Sequence, residues 1–129
     1  VPTERRKTTT ELGRKAEADA LAHLLAAGLQ LIGRNYACRG GEIDLILREG
    51  GVLVIVEVRS KSRRDYGSAA ASVDRRKQQR ITLAARHLLA RQPELARLPV
   101  RFDVVAIDPG GPTGAAAITW IRDAFRLGQ

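Results

Sequence analysis

The chain is poor in the residues that staple, ligate or stack. It has one cysteine, no methionine, one tryptophan, two tyrosines and two phenylalanines. A lone Cys38 rules out an intramolecular disulfide and suits a reducing cytoplasm, where the protein is expected. Cys38, His23 and His87 are its soft ligands and show no CxxC or HxxxH spacing, which argues against structural zinc. All three are expected to be packing or surface residues. No apolar run reaches the roughly 18 residues of a membrane span. Arg5-Arg6-Lys7 leads into threonines, so it does not begin a secretory signal. P-loop, GxGxxG and GxSxG patterns are missing, against an NTPase, a dinucleotide enzyme or a serine hydrolase. With only Tyr36, Tyr66, Phe102, Trp120 and Phe125, a stacking platform for single-stranded bases has little support.

What the chain does have is positive charge. Lys and Arg total 22 against 14 Asp and Glu, a formal net charge of +8 and a pI near 10.7. That excess favours an acidic partner, nucleic acid or an anionic membrane surface. The membrane alternative lacks the basic amphipathic helix it would need. A length of 129 residues fits one domain with a modest core. A flexible basic segment is expected over residues 1–9 and one domain over residues 10–129.

Periodicity predicts a helix from about Thr10 to Ala27, closed by Gly28. Its apolar stripe is Gly13, Ala16, Ala20, Leu21, Leu24 and Leu25. Leu29 to Cys38 reads as a strand. Past a basic loop from Ser60 to about Ser72, a second helix is expected from Val73 to Ala90. Val73, Ile81, Ala84, Ala85 and Leu88 should face inward on it, with the stem of Lys77 along the core edge. Val100 to Ile107 reads as a strand, Ala117 to Ile121 as an edge strand, and Arg122 to Phe125 as a helical piece. The order α-β-β-β-α-β-β indicates an α/β fold, a mixed sheet flanked by helices.

Gly50-Gly51 separates two strand patterns, Glu42 to Arg48 and Val52 to Arg59, and marks a two-residue hairpin. Pairing Glu49 with Val52 puts Asp44 directly opposite Glu57. Ile43, Leu45, Leu47, Val54, Val56 and Val58 then form one apolar face, which fixes the register. Opposed residues have Cβ atoms roughly 4.5–5.5 Å apart, and like charges there are destabilising. A divalent cation is the simplest offset. Arg59 lies on the same face as Glu57, roughly 6.5–7 Å along the strand. A plainer reading pairs Arg59 with Glu42 across the strands. Glu17 falls on the stripe of the first helix, where an acid is costly unless paired. It is either a functional acid or an edge residue bonded to Arg14 or another nearby base. Oxygen-rich clusters of this kind suit Mg²⁺ or Mn²⁺.

The runs Gly13-Arg14-Lys15-Ala16-Glu17, Arg34-Asn35-Tyr36, Gly41-Glu42-Ile43-Asp44-Leu45-Ile46, Val56-Glu57-Val58-Arg59 and Arg101-Phe102-Asp103-Val104-Val105 resemble the bacterial YraN family. That family is similar to Holliday-junction resolvases and the wider PD-(D/E)XK nucleases. The resemblance covers about residues 12 to 125 and implies a restriction-endonuclease-like fold. It also implies Mg²⁺- or Mn²⁺-dependent cleavage of phosphodiesters in duplex or branched DNA. By it, Glu17 matches the helix acid, Asp44 the motif's Asp and Glu57 the acid of (D/E)XK. These three would hold metal, and with Arg59 they make the implied catalytic set.

Arg59 stands where the motif has lysine. Arginine stays protonated and cannot act as a general base, but it can orient a phosphate. Lys61 or Lys77 could supply the missing amine. Nucleic-acid binding would rest on Lys61, Arg63, Arg64, Arg75, Arg76, Lys77 and Arg80. The alternative is a non-catalytic nucleic-acid-binding module that keeps the fold and uses Arg59 to neutralise the acids. The resolvase likeness also implies a homodimer, with Ala117 to Ile121 as its edge.

Overall fold

Helix α1 (Glu11–Ala26) ends where a glycine lets the chain turn back. Gly28 has φ +99, and the Leu29 amide donates to the Leu24 carbonyl at 3.1 Å, closing the last turn. The computed structural model describes residues 11–60, 73–108 and 117–126. After α1 come β1 (Gln30–Cys38), β2 (Gly41–Glu49), β3 (Val52–Ser60), α2 (Arg75–Arg91), a short α3 (Pro93–Ala96), β4 (Val100–Asp108) and β5 (Ala117–Phe125). The expected element order holds, with α3 added inside the connection bracketed by Pro93 and Pro99.

The sheet runs β1-β2-β3-β4-β5. Three neighbouring pairs are antiparallel, while β3 and β4 are parallel, joined through α2 as a crossover. Gly40 at φ +87 and Gly50 at φ +57 sit in the turns between the first three strands. The β2–β3 ladder pairs Leu45 with Val56 and Glu49 with Val52, the register that the Gly-Gly turn predicts.

Apolar residues leave the sheet toward two helices. On one side, Leu45, Leu47, Val54, Val56, Val105 and Ile107 pack with Ala16, Ala20 and Leu24 of α1. On the other, Ile46, Leu53, Ile55, Phe102 and Val104 pack with Ile81, Ala84, Ala85 and Leu88 of α2. The inward residues expected of α2 are all buried.

Three expectations need correction. Ile43 does not share the face of Leu45 and Leu47. It packs with Ile46 on the α2 side, so strict alternation breaks around Asp44. Leu25 lies outside the buried stripe of α1 and is exposed. Arg122 to Phe125 continues β5 instead of turning helical, because β4 supplies partners for it. Phe102 pairs with Phe125 and their rings stack at 4.9 Å, while the Asp103 carboxylate takes the Asp123 amide at 2.9 Å. A register shift between Phe102 and Val104, with Asp123 at φ +54, marks the bulge that makes this pairing fit.

Candidate functional site

The β2–β3 hairpin carries two acids that water barely touches: Asp44 is 1% exposed and Glu57 2%. The regular ladder stops at Leu45–Val56, one step short of Asp44 and Glu57. There the Asp44 side chain supplies a cross-strand bond, Oδ2 accepting from the Val58 amide at 2.9 Å.

Cations approach Glu57 from two directions. Arg59, two residues along β3, brings a guanidinium nitrogen to 3.7 Å from Glu57 Oε2, and Lys77 of α2 brings Nζ to 3.6 Å from the same oxygen. Lys77 is also hydrogen-bonded to Glu42 Oε1 at 2.9 Å, and Arg80 takes Glu42 Oε2 at 2.8 Å. The expected Glu42–Arg59 pair is therefore replaced. Glu42 is drawn to α2, and Arg59 stays with Glu57. Arg80 above all, and Lys77 after burial has acted in the opposite sense, hold the Glu42 carboxyl down at about 2.

Backbone geometry explains how Glu42 gets there. A Cβ on Gly41 would lie 2.2 Å from the Arg80 carbonyl oxygen and 3.1 Å from the Ala84 amide nitrogen. Only glycine lets β2 come this close to α2. The helix is fixed in turn by Asp74, whose side chain caps it by accepting from the Lys77 amide at 2.8 Å.

The first turn of α2 is Arg75-Arg76-Lys77, with no acid in it. Helix N-termini carry partial positive charge and prefer acids, so cations there cost about 0.3–1 kcal/mol each. Their presence concentrates positive potential over the buried acids. Arg59, Asp74, Arg76, Lys77 and Arg80 line an open cleft of about 220 Å³ at this place. Of the expected nucleic-acid-binding residues, Arg76, Lys77 and Arg80 line this cleft and Arg75 lies in the same helix turn, whereas Lys61, Arg63 and Arg64 lie outside the described residues.

Glu17 is buried on α1, as its place on the stripe predicts. Its helix packs over the sheet face opposite α2. Among the described residues, no three Asp, Glu, His or Cys side chains are grouped closely enough to hold a metal ion. Asp44 and Glu57 are both buried on the hairpin, and Glu17 does not complete a ready-made cage with them. Mg²⁺ does not require one, since it commonly uses one or two carboxylates, several waters and substrate phosphates. The hard oxygens of the hairpin pair fit that donor set.

His87 bonds to the Tyr36 hydroxyl, and His23 stands edge-on to Trp120 with ring centres 6.1 Å apart, so both histidines are packing residues. Burial pushes the Cys38 thiol up.

A second polar centre escaped the sequence reading. Asp103 on β4 is fully buried and takes both forks of Arg101 at 2.8 and 2.9 Å, with Trp120 Nε1 donating at 2.9 Å. Arg101 also reaches Glu49 at 2.8 Å, which binds Arg122 at 2.7 Å. Arg122 lies over the Trp120 ring at 3.8 Å. Hydrogen bonding to Asp103 raises the Arg101 pKa, burial opposes that, and Glu49 adds to the rise. The signal was present: a single acid inside the apolar run from Val100 to Ile107 is costly unless its partners are near.

No helix among the described residues is long and apolar enough to cross a membrane. Comparison with known proteins places the chain among close relatives. The profile of a family described as "Uncharacterised protein family UPF0102" matches residues 16–107. A UPF0102 protein of Saccharophagus degradans is 50% identical over 119 residues, 92% of this chain and 96% of the relative. One from Halorhodospira halophila is 49% identical over 125 residues, covering 97% and 95%. One from Cupriavidus taiwanensis is 51% identical over 115 residues, covering 88% and 81%. With the motifs, the profile and the relatives in agreement, the chain belongs to the UPF0102 family, the family also called YraN.

Proposed function

We propose that this protein binds the phosphodiester backbone of duplex or branched DNA in the cleft over α2 and hydrolyses it with Mg²⁺ or Mn²⁺. The observation that carries the reading is the buried Asp44–Glu57 pair beneath the first-turn cations of α2. Unlike the buried Asp103, this pair lies beside an open cleft lined by cations, and charge clusters in clefts gather at functional sites. The restriction-endonuclease-like fold belongs to this reading, supported by the mixed sheet and its α-β-β-β-α-β-β order.

Arg59, Arg76 and Arg80 would hold the nucleic-acid phosphates, their forked donors suiting phosphate oxygens. Asp44 and Glu57 would hold the metal, with Glu17 the remaining candidate ligand. Bound there, Mg²⁺ would supply an ionisable water and stabilise charge on the phosphate. Glu57 would polarise the attacking water. Lys77 would stand in for the motif's lysine, whose own position is Arg59, since its ammonium lies 3.6 Å from Glu57 Oε2. Arg59 keeps an electrostatic role. A homodimer through the β5 edge is the assembly this reading carries.

The binding-module alternative has one observation in its favour. Two cations within 4 Å already balance Glu57, as a retired active site would have them. The deciding experiment incubates branched, duplex and single-stranded DNA with Mg²⁺ or Mn²⁺, the protein and its Glu57→Ala variant. Cleavage lost on Glu57→Ala supports the nuclease. Binding without cleavage leaves the module.

A further inference from the structure

Glu42 lies outside the implied catalytic set, yet it forms ion pairs with two of the cations that line the cleft. Its two oxygens are divided between two side chains of α2, Lys77 at 2.9 Å and Arg80 at 2.8 Å. The same Lys77 nitrogen is 3.6 Å from Glu57 Oε2, inside ion-pair range but beyond a hydrogen bond. The ammonium is thus anchored on Glu42 and aimed at Glu57.

We infer that Glu42 is a positioning residue, which fixes the Lys77 amine beside Glu57 and keeps it from swinging into solvent. The inference rests on the nuclease reading for what the amine does, but not for where it is held. Three features of the molecule converge on it. A lysine stem has several rotatable bonds and loses much freedom when fixed, so its headgroup wanders unless a partner holds it. Arg80 occupies the far oxygen of Glu42 and prevents that carboxylate from rotating away. Gly41 sets the distance, because a side chain there would meet the α2 backbone and lift Glu42 off the helix.

The chain's other lysines, Lys7, Lys15 and Lys61, make a direct test simple. Brief acetylation of the intact protein with an amine-selective N-hydroxysuccinimide ester, followed by peptide mass analysis, reports each amine separately. Lys77 should react more slowly than Lys15, whose side chain is largely exposed. Glu42→Gln should raise Lys77 acetylation by about tenfold, the scale expected for losing one charge-assisted bond, and leave Lys15 unchanged. Arg80→Ala should raise it less, because Glu42 then holds Lys77 without its own support. Far-ultraviolet circular dichroism on each variant separates this from unfolding, which would raise Lys15 and Lys77 together. Unchanged Lys77 reactivity in folded Glu42→Gln overturns the inference, whether or not the protein cuts DNA.

Where DNA is cleaved, Glu42→Gln should lower kcat without raising KM. It should have no further effect on kcat in a Lys77→Ala background, since Glu42 acts through that amine. An equal loss in both backgrounds would also sink the idea. A released Lys77 with no cleavage in any variant would leave the clamp standing and remove the nuclease reading.

Discussion

Lys77 Nζ stands 3.6 Å from Glu57 Oε2, bringing an amine of helix α2 to an acid of strand β3. The sequence spacing that would put a lysine two residues after the acid is filled by Arg59, whose guanidinium approaches the same oxygen at 3.7 Å. Arg59 is 40% exposed at its side chain and Lys77 22%, so Lys77 is the more enclosed and better shielded of the two. Low-dielectric surroundings strengthen a fixed charge, so the enclosed cation should matter more to a developing negative charge.

That ranking predicts the outcome of two substitutions. Lys77→Ala should lower cleavage by about 10²–10³, the range seen when one preorganised electrostatic donor is removed. Arg59→Ala should cost less, and Arg59→Lys should retain activity. Gel assays with Mg²⁺ on a branched substrate measure all three. If Arg59→Ala abolishes cleavage while Lys77→Ala is silent, the strand residue has kept the role and the helix amine is only a counter-ion.

Glu42 makes a prediction about acid stability. Its carboxyl is near 2 when folded and ordinarily 4.5, held down first by Arg80 and then by Lys77 against the opposing effect of burial. A depressed carboxylate stabilises the fold above its ordinary value, and that contribution disappears as pH falls through its folded value. Urea midpoints of the parent should therefore exceed those of Glu42→Gln above pH about 4.5. The gap should close as pH falls towards about 2. A gap that is constant across this window would mean Glu42 stabilises by packing and not by charge.

The hairpin register was readable because it is local. Gly50-Gly51 and the alternating valines and leucines fix the pairing as far as Leu45 and Val56. Burial of Glu17, Ile81 and Leu88 was readable from helical period in the same way. What escaped depends on how distant elements cross. The turn of Glu42 towards Lys77 and Arg80 requires β2 to touch the α2 backbone at Gly41, and no strand pattern announces that contact. Ile43 changes sides for a related reason, near the point where the Asp44 carboxylate bonds to Val58 and the ladder stops. The strand character of Arg122 to Phe125 comes from Asp103 and Phe102 on β4, so local propensity alone points the wrong way there.

Asp103 should carry stability and not chemistry. It is fully buried and holds Arg101, Trp120 and the Asp123 amide, joining β4 to the edge strand. Asp103→Ala strips Arg101 of its principal counter-charge, and breaking such a pair costs about 3–5 kcal/mol. Trp120, the sole tryptophan, reports the change directly, because its indole loses its acceptor. A destabilisation of that size in urea titrations, with early hydrogen exchange confined to β5, is the expected result. A loss below about 1 kcal/mol would reduce the network to ordinary surface pairing.

Nucleic-acid affinity tests whether the α2 cations meet phosphates at all. Arg75 and Arg76 are exposed in a helix turn whose dipole already disfavours them, and Arg80 is partly so. Each phosphate they neutralise on duplex DNA should add about 0.9 to the fall of log affinity with log salt. Replacing Arg75 and Arg76 together with alanine should then flatten the slope by up to about 1.8, with folded-state stability unchanged or raised, since two cations leave a positive helix end. Fluorescence anisotropy over a series of salt concentrations gives both slopes. Arg80→Ala should behave differently: it also frees an oxygen of Glu42, so affinity should fall further than one lost phosphate contact explains. Equal slopes in the parent and the double variant would show that this turn faces solvent, and the DNA-binding reading would then have to rest on residues outside the cleft.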